Sequence, residues 1–259
     1  MPTSNDTDLS ITLTGPVAEL LINRPDKRNA LREDMWAALP DLLADVADKC
    51  RVLIVRGAGK TFSAGADISE FAEIYATPER GSENSAHIST GLNALAEFPH
   101  PTLAAVRGSC VGGGCALALA CDFRFADETA KFAITPAKMG LLFPFNDTKR
   151  LIDTVWPARA KDMLFSARVL AGREALEAGL ADRVVGASEL DSEITGYVNR
   201  LLEMSPRSLQ YTKQMIATVL DGQDRDNETT RTMFQDAFNC DDFQEGYRAF
   251  LEKRKPDFS

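Results

Sequence analysis

Apolar and polar residues alternate along Leu9-Ser-Ile-Thr-Leu13 and again along Val17-Ala-Glu-Leu-Leu-Ile22, with Gly15-Pro16 between them. A period of two on either side of a turn pair predicts two strands joined as a hairpin. A turn follows at Asn23-Arg-Pro-Asp26. From residue 33 to about residue 49, Met35, Trp36, Leu39, Leu42, Leu43 and Val46 recur at helical spacing. Pro40 is expected to kink or restart that helix, because proline removes an amide donor and crowds the preceding turn. Val52-Leu-Ile-Val55 reads as a buried strand. A strand over residues 101–106, a glycine-rich turn, a short helix over 113–120 and a strand over 122–126 continue the alternation. After about Asp147 the pattern is helical almost throughout, broken at Gly172, at 179–185 and at Ser205-Pro206. Short strands alternating with helices define an α/β chain. Its last third reads as a helical appendage with no flexible linker before it.

At 259 residues the chain suits one large domain, or one with a small appendage. Its 29 Lys and Arg against 38 Asp and Glu give a net charge of −9 with no basic block. That argues against a nucleic-acid surface, since phosphate affinity needs clustered cations. The longest apolar run, Cys115 to Cys121, has seven residues, against roughly 20 for a bilayer span, so no membrane partner is expected. The polar, acidic start Met1-Pro-Thr-Ser-Asn-Asp-Thr-Asp-Leu-Ser10 has neither the basic nor the apolar part of an export signal. A cytoplasmic protein is expected. Five cysteines in odd number without a Cys-x-x-Cys pair read as reduced, buried thiols. With His87 and His100 the only histidines, no metal site is expected.

Several familiar motifs fail on single residues. A phosphate loop at Gly57-Ala-Gly-Lys-Thr61 would need glycine where Ile54 stands, and the dinucleotide fingerprint would need it at Phe62. A hydrolase elbow at Ser63 would need glycine in place of Thr61. Two glycine loops remain, each following a strand: Phe62-Ser-Ala-Gly-Ala-Asp-Ile68 and Gly108-Ser-Cys-Val-Gly-Gly-Gly-Cys115. Either alone is an adequate tight turn. Together they can aim bare N–H groups at one oxygen, and a helix starting near Gly113 would add its positive end. Such a pair of donors is an oxyanion hole.

These loops resemble those of the crotonase (enoyl-CoA hydratase/isomerase) superfamily, and the resemblance spans nearly the whole chain. It includes Asn23-Arg-Pro25 with Asn29-Ala-Leu31, Phe62-Ser-Ala-Gly-Ala-Asp67, Pro101-Thr-Leu-Ala-Ala-Val106, Gly112-Gly-Gly114 before Cys121-Asp122, Ala178-Gly-Leu180 with Asp182-Arg-Val-Val185, Phe243-Gln-Glu-Gly246 and Glu252-Lys-Arg-Lys-Pro256. The resemblance implies a crotonase-like spiral of ββα units over residues 1–200. A helical C-terminal region over 201–259 would serve trimerisation and close the CoA site, in homotrimers or dimers of trimers. It implies an acyl-CoA thioester as partner, with coenzyme A as part of the substrate and no permanently bound cofactor. The thioester carbonyl would sit between the backbone amides of Ala66 and Gly113. Lys27, Arg28, Ala30, Ala64, Asp67, Ile68, Gly112, Pro136 and Ala137 would contact the substrate. Asp67 also reads as the anchor of its loop. Lys27 and Arg28 would meet CoA phosphates, with an ordinary solvated turn as the alternative. The run Lys253-Arg-Lys255 can equally serve a helix end.

The chain departs from the family at the acid–base positions. Hydratases of the superfamily use two glutamates, and the corresponding positions here carry Ala116 and Ala137, or Pro136 if the second alignment shifts by one residue. A positioned acid or base is worth about 10²–10⁴-fold in rate, so paired-glutamate hydration is not expected. Asp147, in Phe145-Asn-Asp147, resembles the nucleophile of aryl-CoA dehalogenases in the superfamily. It can serve as base or nucleophile, or as the N-cap of a helix starting near Thr148. Met139 stands where those dehalogenases carry an aromatic residue. His87 falls in a stretch that often covers the acyl chain as a mobile segment, with an incidental surface histidine as the alternative, and Glu70 and Glu73 read as a solvated helix face ahead of a weaker acid–base role. The resulting expectation is enolate stabilisation with isomerase-type proton transfer by Asp147. The alternatives are a non-catalytic acyl-CoA-binding homologue and a hydrolase, decarboxylase or dehalogenase using Asp147.

Overall fold

A computed structural model describes residues 7–258. Residues 1–6, on which most of the expectation about the polar start rests, lie outside the described residues. The chain runs β1 (Leu9–Thr14), β2 (Val17–Ile22), α1 (Glu33–Ala47), β3 (Val52–Gly57), α2 (Phe71–Ile74), α3 (Pro78–Ala96), β4 (Thr102–Val106), β5 (Ser109–Val111) and α4 (Gly113–Leu119). It continues through β6 (Phe123–Asp127), β7 (Lys131–Ala133), α5 (Phe145–Ser166), β8 (Val169–Ala171), α6 (Gly172–Glu177) and β9 (Arg183–Val185). Four helices follow: α7 (Leu190–Leu202), α8 (Pro206–Leu220), α9 (Glu228–Asn239) and α10 (Asp241–Glu252).

The expected hairpin forms: β1 and β2 pair antiparallel from Leu9↔Ile22 to Thr14↔Val17, around Gly15 at φ +55°. Beyond it every pairing in the six-stranded sheet β1-β2-β3-β4-β6-β9 is parallel. A second sheet, β5-β7-β8, consists of three-residue strands. The chain alternates between the sheets, with β4 and β6 in the larger and β5 and β7 in the smaller. After β3, Ser63 bridges in parallel to Cys110, extending the smaller sheet by one position. Each strand pair is followed by helix, which is the spiral of ββα units that the resemblance implies.

Both faces of the larger sheet are covered, so β3 and β4 read as unbroken apolar runs rather than alternating ones. Leu53, Val55 and Ala104 join α1, α3 and α4 in the principal core. Val52, Ile54 and Leu103 point to the other face, against Leu190, Ile194 and Val198 of α7. Helices α8–α10 carry much exposed apolar surface, including Phe234, Phe238, Tyr247 and Phe250. Lys213 of α8 ties to the core through Asp122 at 2.8 Å. Among the described residues no helix is long and apolar enough to cross a membrane.

Two expectations are corrected, the restart of the first helix at Pro40 and the capping role of Asp147, and the stretch containing His87 is helical. Helix α1 continues through Pro40. The carbonyl left without a helical donor, Trp36 O, faces Gly91 of α3, where a Cβ would lie only 2.9 Å away, so close helix packing occupies the gap. The stretch containing His87 is the 19-residue helix α3, started by Thr77, whose hydroxyl accepts from Arg80 N, and by Pro78 in its first turn. Helix α5 starts at Phe145 with Pro144 as its N-cap, so Asp147 lies within the first turn and does not cap it.

Candidate active site

Leu31 threads the first loop by donating to Gly65 O at 2.8 Å and accepting from Asp67 N at 2.9 Å. That pairing leaves the Ala66 amide between them turned away, with no backbone acceptor among the described residues. Ser63 pins the turn, its hydroxyl donating to Asn29 O at 2.8 Å and accepting from Gly65 N at 3.1 Å. The fully buried Asn29 accepts from Arg24 N and donates to Ala58 O and Thr61 O.

In the second loop Gly112, at φ +54°, precedes α4 and donates to Ala133 O at 2.9 Å. Gly113 is the first residue of α4, so its amide has no acceptor within the helix. The loops meet with little space to spare. A Cβ on Gly114 would lie 2.6 Å from Ser63 O, and one on Gly65 would lie 2.6 Å from Val111 O and 3.0 Å from Gly113 N. A Cβ on Gly113 would lie 3.5 Å from Ala66 N. Residues 66 and 113 are therefore neighbours, and both line a cavity of about 370 Å³.

The same cavity is lined by Ala64, Ile68, Gly112, Pro136 and Asp147. Asp147 is the only carboxylate among its lining residues. It is 4% exposed, and Arg150 Nη1 donates to its Oδ1 at 2.8 Å, while Arg150 Nη2 donates to Asn93 Oδ1 at 2.6 Å. Burial pushes the Asp147 carboxyl above the usual carboxylate range, with the Arg150 charge and hydrogen bond acting in the opposite direction. A carboxylate held at one oxygen in this way can accept a proton within a largely apolar chamber. Ala116 lines the chamber 2% exposed and supplies no second proton carrier.

Other expected site residues stand outside the cavity lining. Ala137 is exposed on the turn Pro136–Met139, whose first and last residues line the cavity while it does not. Ala30 is buried beneath the first loop, its carbonyl accepting from Arg24 Nη1 at 2.7 Å. Asp67 is satisfied internally, by Ser69 and by Arg24 Nη1 at 2.8 Å. Those hydrogen bonds, that of Ser69 foremost, hold its carboxyl down to about 2. Lys27 and Arg28 are exposed on a turn just outside, where Arg28 O accepts from Ala64 N at 2.9 Å. His87 Nδ1 lies 3.2 Å from Glu33 Oε1. Glu70 accepts from Glu33 N at 3.0 Å, serving the start of α1, while Glu73 is exposed. In the terminal basic run, Arg254 pairs with Glu245.

Sequence reasoning missed Trp36 and Asn84, which line the cavity, and Arg150, which holds Asp147. Trp36 reads as ordinary core from its helical spacing. Asn84 has a fainter signal, as a polar residue on the apolar stripe of α3.

The family model described as enoyl-CoA hydratase/isomerase matches residues 13–259. The crotonyl-CoA hydratase of Syntrophomonas wolfei is 36% identical over 93% of this chain and 94% of its own length. The short-chain-enoyl-CoA hydratase of Clostridium acetobutylicum is 33% identical, with 93% of each chain covered. The crystal structure of an enoyl-CoA hydratase/isomerase family protein from Hyphomonas neptunium superposes with a TM-score of 0.96 at 38% identity, covering 99% of both chains. With the spiral of ββα units and the paired glycine loops already in place, these likenesses establish that the chain belongs to the enoyl-CoA hydratase/isomerase family.

Proposed function

We propose that this chain is an isomerase of unsaturated acyl-CoA thioesters, in which the Ala66 and Gly113 amides bind the thioester oxygen and Asp147 carries the proton. Asp147 takes a proton from the α-carbon of a 3-enoyl thioester, and the electron pair passes onto the oxygen between the two amides. Return of the same proton at the γ-carbon yields the 2-enoyl thioester. One carrier suffices for this exchange, whereas paired-glutamate hydration needs two. The observation that carries the reading is a single carboxylate on a cavity that also holds the two loop amides.

The test is conversion of 3-enoyl-CoA to 2-enoyl-CoA by the wild type and by Asp147→Asn. The variant is expected to lose about 10²–10⁴-fold in kcat. Equal turnover by both proteins, or thioester binding with no turnover by the wild type, would overturn the assignment. Hydration is the second reading, favoured by the hydratase names of the relatives. Formation of a hydroxyacyl-CoA from 2-enoyl-CoA, lost in Asp147→Asn, would replace isomerisation with hydration through one carboxylate.

A further inference from the structure

The core-facing stripe of α3 runs Asn84, Ile88, Gly91, Leu95, at the spacing of an apolar helix face. Gly91 lies against α1 and Leu95 is fully buried. At the head of this stripe, where an aliphatic side chain would pack, stands a carboxamide. Asn84 is 5% exposed and lines the cavity, and its side chain makes no hydrogen bond with any described residue. Asn29, the other buried asparagine, bonds to three partners. The carboxamide keeps some contact with the open space of the cavity, so it is held in the wall with only water or a ligand left to bond. Such departures from local rules concentrate at functional sites. Trp36 Nε1, another group of this lining without a partner, is sealed off.

A carboxamide offers donors and an acceptor, and a hydroxyl is the small group that uses both at once. On the same lining Ile88, Phe71 and Ala116 offer such a group only apolar side chains, while Tyr75, Ser85 and Thr135 bring hydroxyls but no carboxamide. We propose that Asn84 is a specificity-determining residue that seats a hydroxyl carried by the acyl chain, so that the substrates are hydroxylated acyl-CoA thioesters. This rests on the acyl-CoA reading of the cavity and adds to it the chemistry of the acyl group.

Calorimetry with butyryl-CoA, 3-hydroxybutyryl-CoA and 4-hydroxybutyryl-CoA tests it without reliance on turnover. The wild type is expected to bind at least one hydroxylated thioester about tenfold more tightly than butyryl-CoA, the effect of one well-made hydrogen bond. Asn84→Leu, close in shape, should abolish that preference while its melting temperature holds or rises. Asn84→Ala repeats the comparison with a smaller side chain. No preference in the wild type, a preference that survives both substitutions, or an equal loss for all three thioesters would overturn the assignment. The equal loss is the result expected if the amide only orders a water or supports the helix. Failure of the wild type to bind any of the thioesters would overturn the acyl-CoA reading as well.

Discussion

The floor and the wall of the cavity are built by different means. The floor is main chain: two loops interlock where Gly65 and Gly114 leave no room for a Cβ, and the amides of Ala66 and Gly113 emerge beside each other. The wall is side chain: Asn84 and Ile88 from α3, Pro136 from the turn after β7, and Asp147 from the first turn of α5. A floor of peptide groups is indifferent to most substitutions except those that crowd the backbone. A wall of side chains changes its chemistry with each residue. That difference explains how loop motifs that resemble the family's can stand beside an apolar Ala116 in the wall.

The largest break in the comparison is expected from Gly65→Ala. Gly65 adopts φ +95°, and its Cβ would lie 2.6 Å from Val111 O, so the loop must move. Displacing one donor of an oxyanion site costs about 10²–10³-fold in kcat. The loss should be the same for every thioester, because the floor touches the group they share. A loss that varies several-fold with the acyl chain would show that floor and wall are not independent. Steady-state kinetics on a set of thioesters makes the measurement, with circular dichroism to establish that the variant is folded.

The floor was legible in the sequence and much of the wall was not, for a physical reason. Backbone sites leave glycine signatures in contiguous motifs, so Ala66 and Gly113 were named from Phe62-Ser-Ala-Gly-Ala-Asp67 and Gly112-Gly-Gly114. Asp147 stands out in the sequence because its place and its Asn-Asp-Thr setting resemble the nucleophile of aryl-CoA dehalogenases. Its capping alternative failed because α5 begins two residues before it, at Phe145 behind Pro144. Helix α3 went unread because Asn84 and Gly91 interrupt its apolar stripe. The interruption that hid the helix is the feature that gives the wall its polarity. The strands β5, β7 and β8 span three residues each, too few to show an alternation. Asn29 and Ser63 tie the loops together through bonds that span 29 to 34 residues of sequence, which no local pattern reveals.

A smaller and more selective effect is expected at Arg150. Burial raises the Asp147 carboxyl, and Arg150 pulls it back down. Proton abstraction needs the carboxylate form, so activity falls as pH drops through the Asp147 pKa. Arg150→Met removes the opposing charge and raises that pKa further. The acid limb of the kcat profile should therefore move to higher pH, with the loss greatest in acid and diminishing toward alkaline pH. Gly65→Ala should lower the whole profile without moving it. An Arg150→Met profile reduced equally at all pH values would mean that Arg150 serves packing through Asn93 and does not tune the base.

The smallest effect concerns the rim, where neither region reaches. Lys27 and Arg28 stand exposed and form no ion pair with a described residue, yet Arg28 O is bonded to Ala64 N on the cavity lining. The terminal run differs in kind: Arg254 is held by Glu245, and Lys255 reaches Glu203 at 2.9 Å. Free cations next to an opening are available to the phosphates of CoA, and cations already paired are less so. Lys27→Ala and Arg28→Ala should each raise KM by about threefold to fivefold at low salt, in keeping with the modest worth of exposed ion pairs. kcat should stay unchanged, since the phosphates lie far from the reacting carbons. The difference from wild type should shrink as salt shortens the screening length from about 10 Å at 0.1 M to about 3 Å at 1 M. A salt-independent rise in KM, or a fall in kcat, would instead mean that the turn supports the Ala64 loop through its backbone, making Arg28 part of the floor.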